Sequence, residues 1–192
     1  MKNVKSIALA ALASATLSSC GYNTMVEKQE AVDAQWSQVE NVYQRRADLI
    51  PNLVATVKGY ASHESETLAA VVEARSKATS ITVDASSLTE DQIAKFQRTQ
   101  GELSSALGRL MAIQEAYPDL KANENFRDLS AQLEGTENRI ATERKKFNDT
   151  ARDYNTYIKK FPNNLTASIF SFSSKPYFKA DEGAEKAPKV EF

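Results

Sequence analysis

The chain predicts an all-α fold, an elongated antiparallel bundle of long helices. Three observations carry this: apolar residues recur at steps of three and four over most of the length, Pro51 is the only proline before Pro118, and no β-branched run is long enough to seed a sheet. The bundle has three helices, or four if the first is split near Pro51. A period near 3.5 predicts left-handed, coiled-coil-like packing.

The first 19 residues read as a targeting segment rather than fold. Lys2 and Lys5 precede an apolar run from Ile7 to Leu17, and small residues then lead to Cys20. The run is shorter than the roughly 20 residues a helix needs to cross a bilayer. Leu17, Ser18, Ser19 and Cys20 resemble a bacterial lipobox, which makes Cys20 the expected lipidation site, with a palmitate-type anchor. Two or more acyl chains hold a protein at a membrane stably, whereas one is marginal. Cys20 is the only cysteine, so an intrachain disulfide framework and a thiolate-rich zinc site are both excluded. Gly21 stands where an inner-membrane lipoprotein usually carries aspartate. The expected location is therefore the bacterial cell envelope and, if the source is Gram-negative, an outer membrane facing the periplasm.

The first helix carries its stripe on Val32, Trp36, Val39, Tyr43, Arg46, Ile50, Leu53, Val57, Tyr60, Glu64, Thr67, Val71, Ala74 and Ala78. Proline costs about 3 kcal/mol inside a helix but is tolerated in a first turn. Asp48 can cap a new helix there, whereas the unbroken heptad phase through Pro51 favours one long kinked helix. Thr79 to Ser87 breaks the pattern and reads as a loop.

A second helix starts at Thr89, whose hydroxyl can cap while Gln92 reaches back and Leu88 staples onto Ile93. Its stripe runs Ile93, Phe96, Gln100, Leu103, Leu107, Leu110, Gln114 and Tyr117, up to Pro118. The third opens near Asn123 and runs to about Phe161, with Phe126, Leu129, Leu133, Thr136, Ile140, Glu143, Phe147, Ala151, Tyr154, Ile158 and Phe161 on one face. The short connection at Pro118 makes these two antiparallel neighbours. The bundle thus occupies residues 20–161. Residues 162–192 read as an irregular tail packing on it, with Phe170, Phe172, Tyr177 and Phe178 lacking helical spacing.

Chemistry-bearing patterns are sparse. Removing residues 1–19 takes two lysines from 24 basic side chains and leaves all 25 acidic ones, so no nucleic-acid partner is expected. His63 and Glu64 begin an HExxH motif, but Thr67 stands where the second histidine must be. With one histidine, no cofactor and no metal are expected. Ser62 and His63 point to different faces of a helix and form no catalytic pair. Arg46 and Glu64 fall on the apolar stripe, where a charge needs a partner, and Gln100, Gln114 and Glu143 are the natural candidates.

The run RRADLIPNLVATVKGYASHE, with Tyr22 and Asn23 upstream, Arg75 downstream and a terminal Pro188, Val190 and Phe192, resembles the LemA family. That resemblance implies a membrane-anchored long-helix bundle and no defined reaction. It singles out Arg45, Arg46, Asp48, Asn52, Lys58, His63, Glu64 and Arg75 as candidate partner-binding residues.

Three functional readings follow. The first is a non-enzymatic scaffold or adaptor, lipid-anchored to the membrane, with protein partners on a patch of Arg45, Arg46 and Lys58. A second is a receptor or enzyme using a polar pocket around Arg46, His63 and Glu64. The third is self-association or cell-wall binding through the aromatic tail.

Overall fold

The structure is a computed structural model describing residues 2–180, with side chains from Gly21 onward. Cys20, the side chains of the targeting segment, and Pro188, Val190 and Phe192 lie outside that description. Six α-helices follow in order: α1 (Lys2–Tyr60), α2 (Ser65–Ser80), α3 (Glu90–Ala112), α4 (Pro118–Ala122), α5 (Glu124–Lys159) and α6 (Asn163–Ile169). Among the described residues there is no strand, and no helix is long and apolar enough to cross a membrane.

The long helices form an up-down-up-down bundle. Along the α1–α5 seam Lys28 lies over the Tyr157 ring, Trp36 meets Phe147, Arg46 meets Glu137 and Tyr60 meets Asn123. This antiparallel register follows from the matching stripes on the two helices. α3 starts where the sequence places it: Thr89 accepts from the Gln92 amide while the Gln92 side chain accepts from Thr89, closing a capping box. Leu88 and Ile93 are buried in one cluster, as a staple requires. Asn123 caps α5 by accepting from the Phe126 amide at 2.9 Å.

The chain does turn within the segment read as its first helix, but at residues 61–64 rather than at Pro51. α1 continues through Pro51, and its predicted stripe is buried from Val32 to Val57. Beyond that point the unbroken phase would place Tyr60 and Glu64 inside. Turning there buries Ala61 and Leu68 instead and leaves Tyr60 44% exposed. The carboxylate thus escapes a desolvation cost that no cation offsets. α2 then folds back antiparallel to α1, and Arg75 Nε donates to the Ala47 carbonyl at 2.8 Å.

α2 covers only the half of the bundle nearest this turn. The other half is covered by the 81–88 segment and by the C-terminal strap. Val83, Leu88 and Phe178 join Trp36, Phe96, Phe147 and Tyr154 in one cluster. Phe178 stacks on Trp36 at 5.8 Å, within a group of ring pairs each worth about 0.5–1.5 kcal/mol beyond area burial.

The segment after Pro162 is more regular than its sequence suggests. It opens with the two-turn α6, which ends when Ser171 adopts φ 60° and the Phe172 amide donates back to Ala167 O. The strap then lies against α5. Asn155 exchanges both amide hydrogen bonds with the Lys175 backbone, and Asn148 does the same with Phe178. These asparagines are seven residues apart, hence on one face of α5. Lys175 Nζ is buried against Asp33 Oδ1 at 2.9 Å and the Ala85 carbonyl at 2.8 Å.

Candidate functional site

A polar layer divides the core at its waist. The cluster around Trp36 ends at Tyr43, Phe96 and Ile140, while the one beyond begins at Ile50, Leu103 and Leu133. Between them lie Arg46, Gln100 and Thr136, all buried. Arg46 is 1% exposed. Its NH1 donates to Ser104 Oγ at 2.7 Å and to Glu137 Oε1 at 2.9 Å. NH2 donates to the Gln100 side-chain and backbone oxygens, and Gln100 Nε2 reaches Ala78 O at 3.4 Å. One guanidinium therefore ties α1 to α3 and α5, and through Gln100 to α2. A planar fork with five donors suits this, whereas a single ammonium does not.

Arg46 and Gln100 thus pair as their stripes suggest, but the charge partner is Glu137, one residue past the stripe position Thr136. The guanidinium reaches past the helix interface to a carboxylate at the rim, and stripe spacing alone does not show that. Glu143 instead accepts from Gln35 Nε2 at 2.7 Å and pairs with Lys146 at 2.8 Å. Those two hydrogen bonds, Lys146 foremost, hold its carboxyl below the usual range.

The remaining candidates divide between inside and outside. Arg45, Asp48, Asn52, Lys58 and His63 are exposed. Asp48 accepts from Gln44 at 2.7 Å. Glu64 is half-buried and accepts from Tyr117 OH at 3.1 Å, which raises the phenol's pKa. Arg75 supports α1. The patch of Arg45, Arg46 and Lys58 does not form, because Arg46 points inward while the other two face solvent. Nor does a pocket around Arg46, His63 and Glu64. Arg46 NH1 and NH2 are spent on Ser104, Gln100 and Glu137, Glu64 turns to Tyr117, and His63 is exposed.

What the structure offers instead is a groove of about 1100 Å³ between α3 and α5. Leu107, Met111, Phe126 and Leu133 form its apolar floor, and Gly108 and Ala131 keep its walls low. Glu124, Asp128, Glu134 and Glu137 line its α5 side, with Arg127 as the one basic side chain. The groove ends on Ser104 and Glu137, the two groups that hold Arg46 NH1. Sequence reading missed it because it depends on how far α3 and α5 stand apart, which no stripe records.

Fold and site define the class: an elongated up-down helical bundle, held in register by a buried arginine layer and cut by a lateral groove. The chain belongs to the LemA family, whose sequence model matches residues 35–192. It is similar to magnetosome protein MamQ 2 of Paramagnetospirillum magneticum, 32% identical over 174 residues that cover 82% of this chain and 64% of that protein. MamQ of Magnetospirillum gryphiswaldense is 31% identical with the same coverage. Protein LemA of Metamycoplasma hominis is 26% identical over 160 residues, covering 83% of this chain and 69% of its own. The chain therefore spans just under two thirds of the MamQ relatives' length.

Proposed function

We propose that the chain is a non-enzymatic adaptor of the cell envelope, attached to a membrane through its N-terminal segment with Cys20 as the lipidated residue. Its α3–α5 groove holds a basic, apolar-faced helical segment of a partner protein. The groove carries this reading: an apolar floor meets an acidic rim, and small residues at Gly108 and Ala131 let a helix approach closely. Interfaces of this kind take affinity from the floor, and orientation and encounter rate from the rim. The polar pocket that an enzyme would need is not gathered around Arg46, His63 and Glu64, since the histidine faces solvent while Arg46 is held by Ser104, Gln100 and Glu137 and Glu64 by Tyr117.

Attachment at one end gives the groove its reach. About 40 residues of α1 lie between Gly21 and Tyr60, roughly 60 Å at 1.5 Å per residue. The groove lies in the distal half, well clear of headgroups. Charge reversal tests the reading: Asp128→Lys with Glu134→Lys should abolish copurification of the crosslinked partner from native membranes while helix content stays the same. Unchanged copurification, or a captured contact segment that is acidic, sinks it.

A further inference from the structure

Among the described residues, the most exposed of the large apolar side chains lie at the end of the bundle opposite the 61–64 turn. Phe161 is 81% exposed, Ile169 75%, Leu165 56% and Phe170 56%. They belong to α6 and its flanks, with Leu165 and Ile169 one turn apart on the helix. Tyr22 joins them, its ring 4.8 Å from that of Phe170 and 5.6 Å from that of Phe172. Asn163, at the start of α6, lies against Gly21, so close that a Cβ there would meet its Oδ1 at 3.3 Å. The patch therefore surrounds the point where α1 leaves the bundle toward Cys20, the proposed lipidated residue.

Charge separates this end from the rest of the chain. Residues 20–26 and 154–180 contain no Asp or Glu, although the chain has 25. Lys159 and Lys160 are exposed beside Phe161. Exposed aromatic and branched aliphatic side chains flanked by lysines, with acidic groups excluded, match the chemistry of a bilayer interface carrying anionic headgroups. A protein partner would require no such exclusion of acids over both segments.

We infer that α6 and its flanks form a membrane-contacting cap. Phe161, Leu165, Ile169 and Phe170 enter the interface of an anionic bilayer, and Lys159 and Lys160 meet its headgroups. The inference rests on the membrane-attached reading above and deepens it. A tether alone leaves the bundle free to tilt; a tether plus this cap fixes it upright and points the groove away from the lipid.

Tryptophan quenching by brominated lipid tests the cap in the full chain, because the native Trp36 is fully buried and serves as the internal reference. Phe161→Trp, Phe170→Trp and, as a distal control, Tyr60→Trp are each reconstituted into vesicles of brominated phosphatidylcholine and phosphatidylglycerol. The first two should lose most of the added emission relative to unbrominated vesicles, and Tyr60→Trp should lose none. Lys159→Glu with Lys160→Glu should reduce the quenching of Phe161→Trp, and added salt should do the same. If the chain cosediments with the vesicles while Phe161→Trp and Phe170→Trp stay unquenched, the cap is overturned and the attachment stands. A chain that stays in the supernatant overturns both. A blue shift of Phe161→Trp that grows with protein concentration in the absence of lipid overturns the cap in favour of a second copy of the chain.

Discussion

Arg75 of α2 donates its Nε hydrogen to the carbonyl of Ala47 in α1, the carbonyl that Pro51 leaves without a partner. In an unbroken helix the amide of residue 51 would bond to residue 47, and proline has no amide hydrogen. The proline and the distant arginine are thus two halves of one joint. It lets α1 pass through Pro51 and pins α2 across it.

This joint predicts a coupling. Arg75→Ala should lower the unfolding free energy by about 1–3 kcal/mol, the range for losing a hydrogen bond from a charged donor to a buried acceptor. In a Pro51→Ala background the residue-51 amide satisfies Ala47, so the same substitution should cost clearly less. A double-mutant cycle by urea denaturation checks this; equal costs in both backgrounds contradict the joint.

The waist predicts an asymmetry. Arg46→Ala should cost about 3–5 kcal/mol, because it strips a buried layer of its central donor. Glu137→Gln should cost less, about 1–3 kcal/mol: it leaves the buried Arg46 cation without its carboxylate, but an amide oxygen can still accept from NH1 and the 41% exposure of this position lets water screen the charge. Arg46→Lys should fall between them, since one ammonium cannot serve three helices. Chemical denaturation of the three variants distinguishes these outcomes from a rim pair of equal partners.

Most of the frame was legible in the sequence. Buried stripes on α3 and α5, the Thr89 capping box and the Asn123 cap depend on local spacing and local hydrogen bonds, which sequence records directly. Three features were not legible. The turn at 61–64 depends on comparing the cost of burying Glu64 with the gain from Ala61 and Leu68, a comparison that needs the neighbouring helices. The Asn148 and Asn155 clamps read as ordinary polar positions until a strap lies beside them. Arg46 falls on the core face by its spacing, but its partner Glu137 lies outside the stripe, where spacing does not show it. The motif residues therefore split. Arg46 and Arg75 hold the bundle together, and Arg45, Asp48, Asn52, Lys58 and His63 remain on its surface.

Acid should weaken the bundle through Glu143. Lys146 and Gln35 hold its folded pKa below the ordinary value, so the unfolded chain takes up the proton first as pH falls. The stabilisation is fully present above the unfolded value, about pH 4, and is lost as pH drops through the lower folded value. Glu143→Gln should flatten this acid limb in thermal melts recorded between about pH 5 and pH 3. A limb of unchanged slope contradicts the assignment.

The most direct test of the groove is a photocrosslinking map on the full chain in its native membranes. A photoreactive side chain placed singly at Gly108, Ala131, Asn52 or Lys58 samples the α3–α5 groove and the outer face of α1. The account predicts one shared protein adduct from Gly108 and Ala131 and none from Asn52 or Lys58. Adducts confined to Asn52 and Lys58 would place the docking surface on the exposed family motif and contradict the groove.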